Sequence, residues 1–199
     1  EGMQDIPNAF FSYNVAYRRD SLDAQTVARI ANIFNNNRQF TDAIDVTECY
    51  RLSDTTSVDV NRQNAKAYCM LKDYKKAIER YESLKRMGDR SFLTFYYLGI
   101  SYYGDNWFYG SYDNLKEAYA KNSTDINVLY YYAKSCSRTS WKKEGVEFME
   151  KAVEIATPGD SILERLYKGL AECYGYAGES YKKIEVMNRL YKLNKDYKL

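Results

Sequence analysis

Residues 98–102 read Leu-Gly-Ile-Ser-Tyr, and residues 77–81 read Ala-Ile-Glu-Arg-Tyr. In each stretch a small residue precedes a tyrosine, by three residues in the first stretch and by four in the second. The small residue of the first stretch recurs at a constant step of 34 residues, at Ala31, Ala65, Gly99 and Ala133. A period of this length is typical of proteins built by stacking copies of one short helical unit. The sequence therefore predicts a repeat architecture.

Further columns with the same step define what each unit contains. Three residues after the small position the step gives Phe34, Tyr68, Tyr102 and Cys136, and twelve residues after it gives Ala43, Ala77, Ser111 and Gly145. Two more columns read Thr47, Tyr81, Leu115, Met149 and Tyr50, Leu84, Ala118, Ala152. These spacings place side chains on one face of each of two helices. Each unit is thus predicted to be an antiparallel pair of amphipathic helices, with small residues where the backbones approach closely.

The unit boundaries follow from turns and helix caps. Short polar turns such as Leu71-Lys72-Asp73 separate the two helices of a unit, and Ser57, Ser91 and Asp125 stand at expected N-cap positions. Ser161 and Glu164 have capping-box spacing ahead of the last unit, which is four residues out of phase. We predict one domain over 1–199, made of an N-terminal half-unit at 6–20 and repeats at 24–54, 57–89, 91–123, 125–157 and 161–195.

Composition excludes several classes of function. The net charge is +2 with both signs interspersed, which argues against a nucleic-acid-binding surface. Histidine is absent, so the side chain best suited to proton transfer near neutral pH is missing, as is the commonest transition-metal ligand. The four cysteines are far apart, do not form a C-x-x-C motif, and are predicted to be small buried side chains. We expect no catalytic residues, no metal site and no cofactor.

The chain lacks the roughly 18 consecutive apolar residues that a membrane-spanning helix requires. It begins Glu1-Gly2-Met3 without an initiator methionine at the first position, as a chain does after a leader has been removed or after its sequence has been trimmed. This start favours an exported or periplasmic location, with a cytoplasmic location as the alternative.

The columns resemble the tetratricopeptide repeat, whose consensus pairs leucine with glycine or alanine, places an aromatic three residues later, and continues with alanine, an aromatic and alanine. Leu98-Gly99-x-x-Tyr102 and Ala77-x-x-x-Tyr81 match this consensus closely, and the resemblance covers nearly the whole chain. Asn61 and Asn64 depart from it at apolar first-helix positions, and Thr47 replaces an aromatic. A related helical repeat of similar period is the alternative.

The resemblance implies an all-α, right-handed superhelical solenoid of about five hairpins plus an N-terminal helix. In this family the first helix of each pair lines the concave surface, which binds peptides or proteins. Carried onto this sequence, the partner-binding positions are Arg62, Lys66, Tyr96, Tyr103, Tyr130, Lys134, Arg138, Arg165 and Lys168, with Asp59, Leu93, Ile100, Asn127, Glu172 and Tyr176 beside them. Tyrosines in the centre and cations on both sides favour an acidic or carboxylate-ended partner.

The resemblance therefore implies a non-catalytic scaffold for a protein or peptide partner. A second hypothesis is glycan binding in a bacterial cell envelope, because the 22 tyrosines could stack on sugar rings, with Trp107 and Trp141 at turns as edge contacts or, as we favour, caps of the core. An enzyme without histidine would need paired carboxylates, and Glu147, Glu150 and Glu154 are better explained as one solvent-exposed helix face. The oligomeric state is left open.

Overall fold

The computed structural model describes residues 23–157 and 161–196, with side chains as far as residue 193. These residues form helices joined by turns and contain no strand, which confirms the predicted all-α class. No helix within the described part of the chain has both the length and the apolarity needed to cross a membrane. The half-unit predicted at 6–20 lies outside the described residues.

The chain divides into two compact units, Glu1–Asp105 and Asn106–Leu199, and we describe each by itself. The described part of unit 1 contains five helices: α1 (Ala24–Asn36), α2 (Phe40–Arg51), α3 (Val58–Met70), α4 (Tyr74–Arg86) and α5 (Phe92–Gly104). Consecutive helices pack against each other, and α3 also contacts α1 and α5. The first helices of the predicted repeats thus lie side by side in this unit.

The described part of unit 2 also contains five helices: α6 (Phe108–Lys121), α7 (Ile126–Ser137), α8 (Lys142–Ile155), α9 (Leu163–Ala177) and α10 (Ser180–Asp196). Consecutive helices again pack together, and α7 additionally contacts α9. The first helices of the predicted fourth and fifth repeats are therefore neighbours, and this contact positions the candidate site.

Helix ends follow the sequence closely at three of the four predicted caps. Ser57, Ser91 and Asp125 each accept a hydrogen bond from a backbone amide in the first turn of the following helix, as predicted. The capping box at Ser161 is wrong, because α9 begins at Leu163 and the residue before it makes no side-chain cap. Ser161 lies one residue too early for its hydroxyl to serve the first-turn amides.

The turn after α3 contains Lys72 in a left-handed conformation, with φ of 64°. The Lys72 amide donates to the Cys69 carbonyl, and the Asp73 amide donates to the Tyr68 carbonyl. This pair of bonds is the Schellman arrangement, which satisfies carbonyls at a helix end but favours glycine at its left-handed position. Glycine fills the corresponding left-handed position after α9, at Gly178, where φ is 81°.

Small residues allow the close helix contacts that the columns predict. Ala31, Ala65, Ala77 and Ala133 are all fully buried. At Gly145 a Cβ atom would lie 2.8 Å from the carbonyl oxygen of Ala133, so α7 and α8 touch backbone to backbone at this point. The column of small residues is therefore a steric requirement of the fold.

Thr47 and Asn64, which both depart from the repeat consensus, form a hydrogen bond with each other. Asn64 is completely buried, and its amide nitrogen donates to the Thr47 hydroxyl at 2.8 Å and to Glu48 at 3.1 Å. The Asn64 oxygen accepts from Arg80 at 3.2 Å, and Arg80 also pairs with Glu48. Two polar replacements at apolar positions thus satisfy each other inside a network that joins α2, α3 and α4.

Cys69, Cys136 and Cys173 are buried as predicted, and burial raises the pKa of the Cys69 and Cys173 thiols to about 11. The same prediction is wrong for Cys49, which is exposed. Cys49 lies on the solvent side of α2 together with Asp45, one turn earlier. Within the described residues, no group of histidine, cysteine or acidic side chains could hold a metal ion.

Candidate functional site

The nine predicted binding residues are divided between the two units. Arg62 and Lys66 lie on α3, and Tyr96 and Tyr103 lie on α5, all in unit 1. The other five belong to unit 2, where α7 carries Tyr130 and Lys134, Arg138 directly follows α7, and α9 carries Arg165 and Lys168. Each group is therefore considered as its own surface.

In unit 1 the charge of Arg62 is already balanced. Its guanidinium contacts Asp59 at 2.8 Å and donates two hydrogen bonds to Asp89, at 2.9 and 3.2 Å. Burial alone would raise the pKa of Asp89, but hydrogen bonds from Thr94, Ser91 and Arg62 outweigh it and hold that pKa at about 2. Arg62 is therefore an ion-pair partner that fixes the turn before α5, which reduces what it can offer an anionic ligand.

The other predicted residues of unit 1 are partly covered. Lys66 is half-buried, its pKa is lowered by that burial, and its ammonium lies 3.4 Å from the Asn36 side-chain oxygen. Tyr96 is half-buried and stacks on Phe92 with ring centroids 5.7 Å apart. Tyr103 is half-buried near the end of α5. Contacts within unit 1 therefore already cover much of the surface that these predicted binding residues would offer to a partner.

In unit 2 the predicted residues of α7 and α9 meet and form what we call the α7–α9 surface: Asn127, Tyr130, Lys134, Arg138, Arg165, Lys168, Glu172 and Tyr176. Arg165 begins this contact, because its guanidinium donates to the Asn127 side-chain oxygen at 2.6 Å and lies 4.6 Å from the centre of the Tyr130 ring. A guanidinium held over an aromatic face and fixed by an amide loses little freedom when it binds a ligand.

Arg138 occupies the other end of the α7–α9 surface. Its guanidinium carbon lies 4.3 Å from the centre of the Phe108 ring and 5.5 Å from that of Tyr176. Arg138 is exposed, and Tyr176 keeps 43% of its accessible surface. The two aromatic rings therefore orient the guanidinium while leaving it open to solvent.

The lysines of the same surface differ from the arginines in their partners. Lys134 pairs with Glu172 at 2.9 Å and lies 5.5 Å from the centre of the Tyr130 ring, while Lys168 pairs with Glu164 one turn earlier on α9. Arg138 and Arg165 have no carboxylate partner among the described residues. The positive charge left for a ligand on this surface is therefore carried by the two arginines.

Two residues that shape the α7–α9 surface, Phe108 and Gly169, are not among the binding residues predicted from the sequence. Phe108 belongs to a second helix, so the carried-over groove positions do not include it. Gly169 of α9 brings Tyr130 close, since a Cβ atom there would lie 3.0 Å from the Tyr130 ring and 2.8 Å from the Met149 methyl. The only sequence signal for Gly169 is a glycine inside a helical pattern, which often marks close packing.

The two tryptophans have different environments. Trp141 is half-buried and stacks on Tyr112 at a centroid distance of 4.0 Å, as expected of a side chain that caps the core. Trp107 is 54% exposed, so the core-capping interpretation is wrong for this residue, whose ring lies against Gly110 near the start of unit 2. One face of Trp141 is covered, and the pair therefore does not make a flat open row for sugar stacking.

Comparison with known proteins supports the fold alone. No family model matches the sequence, and a comparison with curated proteins finds no match. Among solved structures, YrrB, described as a TPR protein with an unusual peptide-binding site, superposes with a TM-score of 0.76 at 16% identity, covering 92% of this chain and 93% of its own. MamA 41-end from Desulfovibrio magneticus RS-1 superposes with a TM-score of 0.74 at 15% identity, covering 89% and 97%.

A third similar structure is the Podosopora anserina putative kinesin light chain with nearly identical TPR-like repeats, at a TM-score of 0.68 and 14% identity, covering 89% of this chain and 97% of that one. These identities are too low to carry function. Together with the helices and the repeated columns of small residues, they confirm the predicted fold: the chain has a TPR-like helical-repeat fold.

Proposed function

We propose that this chain is a non-catalytic interaction scaffold that binds a peptide or protein segment bearing acidic groups on its α7–α9 surface. The observation that carries the proposal is the state of Arg138 and Arg165, which are oriented by aromatic rings yet lack a carboxylate partner among the described residues. The description of YrrB as a TPR protein with a peptide-binding site lends support, because its fold is similar.

The chemistry of this surface favours carboxylates. A guanidinium presents planar donors that match a carboxylate, and each charge-assisted hydrogen bond contributes about 1.5–3 kcal/mol. Tyr130 and Tyr176 add rigid rings that bury apolar parts of a ligand at little entropic cost. A neutral segment would leave the arginines without this gain, so acidic segments are preferred.

A binding assay on purified protein tests the proposal. Fluorescence anisotropy would compare ten-residue peptides of equal length that are rich in glutamate, glutamine or lysine, each with a free and an amidated C-terminus. We expect the glutamate peptide to bind most tightly and to weaken as salt is added, since the surface is open to solvent. A free C-terminus that improves binding of the glutamine peptide would show that a terminal carboxylate suffices.

Matched variants connect this binding to the surface. The double variant Arg138→Gln/Arg165→Gln should weaken the glutamate peptide by at least about tenfold, as loss of one charge-assisted bond or more predicts. Lys142→Gln/Lys143→Gln removes the same charge from exposed positions on α8 and should leave binding nearly unchanged. Equal binding of glutamine and glutamate peptides, or full binding by the arginine double variant, would contradict the proposal.

A further inference from the structure

The two arginines stand at opposite ends of the α7–α9 surface. Asn127, at the start of α7, contacts Arg165 near the start of α9. Arg138, at the end of α7, contacts Tyr176 near the end of α9. These contacts show that α7 and α9 lie side by side and run in the same direction.

The distance between the two guanidinium groups follows from helix geometry. Eleven residues separate Asn127 from Arg138, and eleven separate Arg165 from Tyr176. At 1.5 Å per residue, this places the arginines about 16 Å apart along the helix direction. An extended peptide advances about 3.3 Å per residue, so five residues of peptide span the same distance. In a flat strand, side chains five residues apart point to opposite faces, so a segment that contacts both arginines is twisted, with a geometry between that of a flat strand and that of a polyproline II helix.

The space between the arginines is electrically balanced. Lys134 and Glu172 lie between them and pair with each other at 2.9 Å, and Lys168 is paired with Glu164. A carboxylate that arrived there would meet Glu172 as well as Lys134, and its gain and its repulsion would nearly cancel. The centre of the surface therefore has no preference for acidic residues, in contrast to its two ends.

Resting on the proposed function, we infer that the α7–α9 surface recognises two acidic side chains about five residues apart in one extended segment, with a neutral segment between them. Arg138 binds one carboxylate and Arg165 binds the other. Because rings and, for Arg165, an amide already hold both guanidinium groups, occupying them together adds affinity without reordering the site. The spacing is thus a property of the ligand that the structure specifies.

Peptides that differ only in spacing test this inference. Ten-residue peptides of serine, glycine and glutamine, acetylated and amidated, would carry one glutamate, two glutamates at i and i+2, or two at i and i+5. We expect the i, i+5 peptide to bind about tenfold more tightly than the single-glutamate peptide, which is the gain from one further charge-assisted hydrogen bond. The i, i+2 pair spans only about 7 Å and should bind like the single-glutamate peptide.

Single variants show whether both arginines are used at once. Either Arg138→Gln or Arg165→Gln should abolish the advantage of the i, i+5 peptide over the single-glutamate peptide, while Lys142→Gln should preserve it. Both arginines are exposed, and circular dichroism checks that the variants keep their helices. Equal affinity for the i, i+2 and i, i+5 peptides would overturn the spacing while leaving the proposed function intact.

Other outcomes separate the two proposals further. If all peptides, including the glutamate-rich one, fail to bind, the proposed function fails together with the inference. If an oligothymidylate of ten nucleotides binds more tightly than every peptide, the arginines and tyrosines serve a nucleic acid and both proposals are overturned. If the i, i+5 advantage survives in both arginine variants, the spacing preference arises elsewhere and the assignment to this surface is wrong.

Discussion

Replacing Gly145 by alanine tests whether the column of small residues reflects a steric limit. The new Cβ would lie 2.8 Å from the Ala133 carbonyl oxygen and 2.5 Å from the Ser137 hydroxyl, which itself donates to that carbonyl at 2.9 Å. The carbonyl belongs to the backbone of α7 and cannot rotate away, so overpacking should cost about 3 kcal/mol. Alanine also gains about 1 kcal/mol of helix propensity over glycine. We expect a net loss of about 2 kcal/mol in the free energy of unfolding.

Gly175→Ala is the matched control, because Gly175 also lies inside a helix but a Cβ there would meet nothing nearer than the Lys183 side chain at 3.7 Å. That variant should gain as much as about 1 kcal/mol from propensity alone. Urea unfolding followed by far-ultraviolet circular dichroism measures both. If Gly145→Ala is as stable as the wild type or more stable, the backbone contact between α7 and α8 does not have the proposed closeness and the steric argument fails.

Three further perturbations test the polar and turn structure of unit 1. Since the pKa of Asp89 is about 2 in the fold against an ordinary 3.8, its ionised form stabilises the fold above about pH 4, and this contribution is lost as the pH falls towards 2. Wild type should therefore lose about 2 kcal/mol more than Asp89→Asn over that range in urea titrations, and parallel pH curves would contradict this. Lys72→Gly should raise the melting temperature by relieving a left-handed residue, a gain of about 1 kcal/mol that a lowered melting temperature would refute. Asn64→Ala should lower the free energy of unfolding by about 2 kcal/mol, whereas Thr47→Val/Asn64→Leu should cost less than the two single changes together.

The sequence predicts the helices well because every repeat imposes the same steric requirement at equivalent positions. Each small residue in the column of Ala31 is constrained by the helix packed against it, so the 34-residue step survives although other positions vary. Caps are equally local, and Ser57 and Asp125 could be placed from the few residues around them. Ser161 fails because a cap depends on where the helix starts to within one residue, and a shifted register does not fix that start.

The candidate site could be predicted only in outline. A position within the repeat tells which side chains share a surface, and Arg138 does contact Tyr176 and Arg165 does contact Asn127, as the carried-over groove positions imply. The position within the repeat does not tell which of the cationic side chains are already paired with a carboxylate of the same chain. Asp89 lies 27 residues after Arg62, in a turn that leads into the next helix, and its pairing with Arg62 depends on how that turn folds back.

A recurring tyrosine–glutamate hydrogen bond shows that columns of this repeat are coupled in pairs. Tyr68 donates to Glu48 at 3.0 Å and Tyr102 to Glu82 at 2.8 Å, and Tyr174 donates to Glu150. Glu48, Glu82 and Glu150 belong to one column with a 34-residue step, whose remaining member is Lys116.

Lys116 belongs to the repeat at 91–123, and in the repeat that follows it cysteine, at position 136, replaces the tyrosine. A buried thiol is a poor donor, and a glutamate opposite it would lose the hydrogen bond that compensates its partial burial. The two columns therefore change together, as Thr47 and Asn64 do in unit 1. Each repeat is consequently specified by matched pairs across neighbouring helices, and this explains how single positions can depart from a consensus while the stacking of helices is retained.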